Sequence, residues 1–193
     1  FLGINKKNPP QIAIWLEDTQ GNYLSTVYVT HKIATQSWQA SGGNRRKEAL
    51  PHWCYSRGVK YDDGLYLPTK KEPLIDGISG ATPHESFNIK LNPATALKKF
   101  VVKIEINHST DFNEAFPKSA KDGEANYSGG KEGSRQPAIV YAANVDLSSG
   151  EKSFEANLMG HSSPDGSSGE VNKDTSGLTT ALHIVKRITV IIQ

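Results

Sequence analysis

Two hydroxyl groups, those of Ser79 and Thr82, stand among small residues in the segment 76–83, which reads Asp-Gly-Ile-Ser-Gly-Ala-Thr-Pro. An enzyme that modifies a side-chain hydroxyl needs an exposed, flexible segment, and glycines at 77 and 80 give the backbone that freedom. The same residues also predict a tight turn between two strands, because Asp-Gly and Ser-Gly are ordinary turn dipeptides. The segment therefore predicts either an acceptor hydroxyl or a plain turn.

Cys54 and His52 are a second candidate for chemistry, since a thiol becomes nucleophilic at neutral pH when a base lies beside it. Residues two apart point to different sides of a helix, so this spacing does not favour a catalytic pair. A buried structural cysteine is the alternative. We therefore predict no catalytic residue here.

The six histidines give little indication of a metal site, because no His-x-x-x-His or Cys-x-x-Cys spacing occurs. The segment 161–170 offers oxygen ligands but lacks the alternating carboxylates of a calcium loop. A solvated loop explains its Ser, Asp and Gly residues. We predict no metal.

Three tryptophans and several tyrosines could form an aromatic platform for a sugar or a partner protein. Trp15 lies on the strand face opposite Ile12 and Ile14, which predicts packing beneath the segment that carries Trp53. Trp38 stands beside a Ser-Gly-Gly sequence and is expected to be exposed. Trp38 is therefore the candidate ligand-binding residue.

Composition bounds the fold and excludes some functions. The 193 residues predict a single domain, 1–193, and the lean apolar content of 36% with 17 Gly and 10 Pro is typical of all-β domains with long loops. A net charge of +2 is too small for nucleic-acid binding, and no apolar run is long enough for membrane insertion. The basic run at 44–47 is expected to be a solvated loop.

Period-two alternation of apolar residues predicts antiparallel strands over most of the chain. Segments 11–18 and 23–30 form a predicted hairpin, and segments 139–147 and 154–158 form a second one. Segment 100–107 predicts a strand with one buried face and one polar face toward solvent. Segment 188–192 predicts a final strand after a short helix or extended entry.

The remaining segments predict one short helix and two long loops. Pro51 stands at the start of the short helix and Gly58 just past its end, as helix signals require. Segments 109–137 and 161–177 are long and polar, and such loops are usually functional or mobile.

Several segments, taken in order, resemble predicted periplasmic proteins grouped as domain of unknown function 2271. The resemblance covers most of the chain, and its most specific piece is Trp-Leu-Glu-Asp at 15–18 followed by Gly-Asn-Tyr at 21–23. Further matches lie at 50–53, 76–83, 135–141 and 178–181. The resemblance implies an immunoglobulin-like β-sandwich that is exported to the periplasm or beyond, without an established activity, in the company of a flavin transferase or a membrane redox partner. The start of the chain lacks a secretory pattern, so we expect that an export signal has been removed.

A shorter resemblance concerns the segment 76–83, which is similar to the sequence that flavin transferases read when they esterify FMN onto threonine. It implies a covalent FMN carrier in which Thr82 holds the cofactor and neighbouring residues position the segment. Those neighbours are Asp76, Gly77, Ser79, Gly80 and Ala81. Where dedicated FMN-binding domains continue with small hydroxylated residues, this chain has Pro83 and His84.

Overall fold

The computed structural model describes residues 9–38, 45–74, 78–80, 86–90 and 97–193. Nine strands and two short helices occur within these ranges. The strands are β1 (Gln11–Glu17), β2 (Tyr23–Thr30), β3 (Ile78–Gly80), β4 (Lys99–Asn107), β5 (Ile139–Asp146), β6 (Ser153–Glu155), β7 (Asn157–Ser162), β8 (Val171–Asn172) and β9 (Thr189–Ile191). The helices are α1 (His31–Thr35) and α2 (Pro51–Ser56), and single 3-10 turns lie at Gly130–Glu132 and Thr180–His183.

The described strands form a large sheet of seven strands, in the order β3-β2-β1-β4-β5-β7-β8, and a small sheet of β6 and β9. All pairings are antiparallel except that of β3 with β2. The predicted all-β sandwich, largely antiparallel with long loops and two short helices, is confirmed. No helix in these ranges is long or apolar enough to cross a membrane.

The first predicted hairpin is confirmed, because β1 and β2 pair antiparallel across a turn at Asp18. The Asp18 carboxylate accepts hydrogen bonds from the backbone amides of Gln20 and Asn22 at 2.9 Å. The second predicted hairpin is wrong in part. Its returning segment divides into β6, which pairs with β9, and β7, which pairs with β5.

Each face of the large sheet carries its own apolar core. One face presents Ile12 and Leu16 of β1 and Ile104 of β4 to the small sheet and the segment 178–192. The other face presents Ala13 and Trp15 to the segments 31–38 and 45–74, which contain α1 and α2. Alternation along β1 thus supplies both cores, because successive side chains point to opposite faces.

The segments 31–38 and 45–74 together cover this face of the large sheet and are called the cover segment. Its helix α2 begins at Pro51 and is followed by Gly58 with φ +69°, so the predicted short helix is confirmed. Trp53 of α2 lies in the same apolar cluster as Trp15 of β1. The predicted packing of Trp15 beneath the Trp53 segment is therefore confirmed.

Candidate functional site

Of the segment that resembles a flavin acceptor, the structure describes residues 78–80, which lie at one edge of the large sheet as β3. Ser79 and Gly80 belong to β3, which pairs in parallel with β2 so that Ser79 is opposite Val29 and Gly80 opposite Thr30. Asp76, Gly77, Ala81 and Thr82 lie outside the described residues.

The predicted exposure of Trp38 is wrong, since only 7% of the residue is accessible to solvent. The Arg46 guanidinium lies 4.5 Å from the centre of its ring, and the indole Nε1 donates a 2.8 Å hydrogen bond to Gln36 Oε1. The nearby Ser-Gly-Gly sequence suggested exposure because it indicates a loop in the local backbone. It carries no information about Arg46, which contacts the ring from a later segment. Trp38 therefore has no open face of the kind that a ligand-stacking platform needs.

The predicted solvated loop at 44–47 is also wrong for Arg45 and Arg46. Arg46 is buried and donates from Nε to Glu48 Oε1 at 2.9 Å, from Nη1 to Ser109 Oγ at 2.8 Å and from Nη2 to Ser134 Oγ at 3.0 Å. Arg45 pairs with Asp63. The Arg46 side chain thus ties the cover segment to the long loop 109–137.

The polar face of β4 does not face solvent, contrary to the sequence-based expectation. Glu105 is fully buried, and its carboxylate accepts hydrogen bonds from the backbone amides of His52 at 3.2 Å and Trp53 at 2.7 Å. These amides are orphan donors at the start of α2, and a carboxylate there is favourable. The polar face is buried because α2 lies over it and uses this carboxylate as its cap.

Glu105 also accepts a hydrogen bond from the hydroxyl of Ser162, at the end of β7. One carboxylate therefore connects β4, α2 and β7. Burial raises the pKa of Glu105 to about 7, against the lowering effect of the hydrogen bonds from Ser162, Trp53 and His52 and of the Lys103 charge.

The spacing of His52 and Cys54 does not favour a catalytic pair, and the two side chains have different surroundings: Cys54 lies in the apolar cluster with Trp15 and Trp53. His52 Nδ1 lies 2.7 Å from the Gly169 carbonyl oxygen. Because a carbonyl oxygen only accepts, Nδ1 is the donor. Burial lowers the pKa of His52, an effect that the hydrogen bond to Gly169 partly offsets.

Native protein is expected to resist alkylation of Cys54 by iodoacetamide at pH 8 for hours, and to react within minutes after unfolding. The reason is that Cys54 is buried and that burial raises the pKa of its thiol far above the ordinary value, so the thiolate is scarce. Intact mass measured over time checks this. Fast labelling of the folded chain would show that the thiol is open to solvent.

A cleft of about 890 Å³ opens between the segments 115–126 and 161–178, which belong to the two long loops that the sequence marked as functional or mobile. Phe116, Val171 and Leu178 supply apolar lining, and His161, Glu170 and Asp174 supply charged or titratable lining. Asn113 Nδ2 donates to the Gly177 carbonyl oxygen at 2.8 Å and so ties one wall to the other.

Two polar groups of the cleft have defined hydrogen bonds. His161 Nδ1 lies 2.8 Å from the Ser162 carbonyl oxygen and donates to it, because a carbonyl oxygen only accepts. Hydrogen bonds from Ser176 lower the pKa of Asp174, as does the nearby His161. The cleft thus combines a carboxylate, an imidazole and an apolar wall, which together suit a neutral polyhydroxyl or cationic ligand.

The floor of the cleft is connected to the buried carboxylate of β4. Ser162 lines the cleft and donates its hydroxyl to Glu105. Within the described ranges no group of three His, Cys, Asp or Glu side chains is placed to hold a metal ion.

Sequence reasoning missed Glu105, although a signal for it exists. Alternation along β4 assigns Glu105 to the face opposite Ile104, and antiparallel pairing of β4 with β1 sets Glu105 against Ala13. Trp15, which shares a strand face with Ala13, was expected beneath the Trp53 segment. Combining the two patterns would have moved the carboxylate from solvent into that layer.

Comparisons of the chain with protein families, curated proteins and solved structures gave no match. The resemblance to domain of unknown function 2271 and to the flavin-acceptor sequence stays a prediction.

Proposed function

We propose that the protein is an exported accessory protein that binds a small neutral polar or cationic ligand in the cleft between the loops 115–126 and 161–178. The cleft carries this proposal, because it combines apolar lining from Phe116 with polar groups from His161 and Asp174 on walls tied to each other and to the sandwich. Such a concave site with a few convergent polar groups is the usual form of a small-molecule site. In this role the protein needs no catalytic residue, and it serves an extracytoplasmic, flavin-linked redox system.

Filling the cleft with an indole is expected to abolish ligand binding. Ala125 is exposed and lines the cleft, so Ala125→Trp places a large side chain in the opening. No hydrogen bond is lost, because the methyl side chain of alanine makes none. Saturation-transfer NMR with neutral monosaccharides and with choline measures binding to the wild type and the variant. We expect at least a tenfold weaker signal for the variant.

The matched control for this experiment is Ser25→Trp, which adds the same side chain at an exposed position of β2, outside the cleft. Binding should persist in this control. Equal binding by Ala125→Trp and the wild type would show that the ligand lies elsewhere, and failure of every probe to bind the wild type would contradict the proposal for these ligand classes.

A second candidate function is that of a covalent FMN carrier. The observation that favours it is the position of β3, because this strand forms one edge of the large sheet and has one side without a neighbouring strand in the part of the chain that the structure describes. In this proposal the Thr82 hydroxyl oxygen attacks the flavin-side phosphorus of a flavin dinucleotide, the P–O–P bond breaks, and AMP leaves with the hydroxyl proton. The chain then carries FMN less one water. The bound flavin would supply the redox chemistry and the protein its placement.

Co-expression with a flavin transferase is expected to increase the mass of the wild-type chain by that of FMN minus water. Thr82→Ala should abolish the increase, because the acceptor oxygen is lost. Ser79→Ala is the control, since it removes the other hydroxyl of the same segment and should keep the modification. An unmodified wild-type chain, or a modified Thr82→Ala chain, in intact mass spectra would contradict this function.

A further inference from the structure

Arg135 is a buried cation in a constrained backbone conformation. It is 3% exposed, and its φ of +84° lies in the left-handed region, which a residue with a Cβ rarely adopts. Such strained positions cluster at sites that bind ligands. Arg135 lies in the loop 109–137 and does not line the cleft, so this feature is separate from the proposed function.

The contacts of Arg135 leave one edge of its guanidinium without partners. Nη1 donates to the Gly130 carbonyl oxygen, and the planar group stacks 3.5 Å from the centre of the Phe112 ring. The backbone amide donates to Ser128 Oγ at 3.1 Å. Nε and Nη2 are buried and have no hydrogen-bond partner in the part of the chain that the structure describes.

Nε and Nη2 are the two donors on the side edge of a guanidinium, and their parallel N–H bonds match the two oxygens of a carboxylate or the edge of a tetrahedral oxyanion. A water molecule can accept from these donors, but it is neutral and brings no negative charge to the guanidinium. The unpartnered groups are therefore the pair of donors that bidentate anion binding requires.

The charges around Arg135 also favour an anion. The Arg46 charge acts on Arg135, and Arg46 Nε pairs with Glu48 at 2.9 Å. Of the two carboxylates whose charges act on Arg135, Glu48 is thus already paired and Glu132, in the neighbouring 3-10 turn, is exposed. Burying a charge without a counterion is unfavourable. Burial lowers the pKa of Arg135 to about 10, and the Arg46 charge acts in the same direction, while Glu132, Glu48 and Tyr127 raise it.

We propose that Arg135 is the anchor of an anion-binding site in the loop 109–137, which takes a carboxylate or a small oxyanion through Nε and Nη2. The neighbouring Phe112 ring fixes the plane of the guanidinium, and the left-handed conformation of Arg135 directs the side chain inward. The anion supplies the missing negative charge.

The test titrates the full chain with sodium phosphate and, separately, sodium formate, with sodium chloride adjusted to hold the ionic strength constant. The wild type should show a saturable rise in the midpoint of thermal unfolding, because an anion that binds only the folded state stabilises it. Arg135→Gln should lose the saturable rise. Arg187→Gln removes an exposed arginine and should keep it.

An NMR titration of the wild type tests anion binding directly, which matters if Arg135→Gln does not fold. The ¹H–¹⁵N signal of Arg135 Nε should shift during the titration and saturate at the same anion concentration as the midpoint. Arg135→Lys keeps the charge but loses the planar pair of donors, so we expect at least tenfold weaker binding. The absence of saturable binding in the wild type, or equal binding by a folded Arg135 variant, would overturn the proposal.

Discussion

Replacement of Glu105 by alanine is expected to lower the free energy of unfolding by about 3 kcal/mol, because the change leaves several buried donors without an acceptor. Those donors are the backbone amides of His52 and Trp53 and the hydroxyl of Ser162. The substitution also removes the connection between β4, α2 and β7. Urea unfolding monitored by tryptophan fluorescence measures the effect.

Glu105→Gln and Glu155→Ala are the controls for this prediction. The glutamine keeps the shape and one acceptor oxygen, so its effect should be smaller than that of alanine. Glu155 is exposed on β6, and its replacement should change the free energy of unfolding by less than about 0.5 kcal/mol. Equal effects at positions 105 and 155 would show that the buried carboxylate does not hold these elements together.

The pH dependence of the same variants gives a second reading of Glu105. Because burial raises its pKa from 4.5 to about 7, the folded chain holds this proton more tightly than the unfolded chain does. The contribution of the protonated group is therefore present below about pH 4.5 and is lost as the pH rises toward about 7. The stability of the wild type relative to Glu105→Gln should fall over this window. His52, whose lowered pKa acts in the opposite sense, is common to both proteins and cancels.

The second large effect is expected at Trp53, where alanine should lower the free energy of unfolding by about 4 kcal/mol, since a fully buried indole leaves a large cavity. The ring packs in the cluster with Trp15, Nε1 donates to Thr26 Oγ1 at 3.0 Å, and the Arg57 guanidinium stacks 4.9 Å from the ring centre. Thermal and urea unfolding of the purified variants check the value.

Trp53→Phe separates the packing of the ring from its hydrogen bond, and it should cost less than half as much as alanine. Phe87→Ala is the surface control, because Phe87 is 37% exposed and its loss should be mild. If Trp53→Ala left the stability unchanged but weakened ligand binding, an aromatic platform would explain this tryptophan better than core packing does.

Local patterns predicted the elements that depend on neighbours in sequence. The β1–β2 hairpin was predictable because alternation and the Asp18 turn both act within twenty residues. The short helix α2 was predictable from Pro51 and Gly58. Burial of Trp15 followed from its side of the strand. Each of these features is determined by residues close to it in the sequence.

Long-range pairing explains what the sequence did not predict. The partner of β6 is β9, more than thirty residues away, so the simple return from β5 was the wrong choice. Trp38 and Arg46 looked exposed because their local sequences are polar or glycine-rich, yet they contact each other, and Arg46 also donates to Ser134. The cleft likewise joins two loops whose composition alone predicts solvation. Neither the composition nor the hydrophobic periodicity of a segment indicates which distant residues it contacts.

The pairing of β6 with β9 has a consequence for synthesis. β6 cannot join the small sheet until residues 189–191 have left the ribosome, although β1, β2, β4 and β5 have emerged long before. Part of the apolar surface around Phe154 and Val190 therefore stays open during translation. Nascent chains should therefore bind chaperones until β9 has been synthesised, because non-local pairing that forms late leaves apolar surface exposed in folding intermediates.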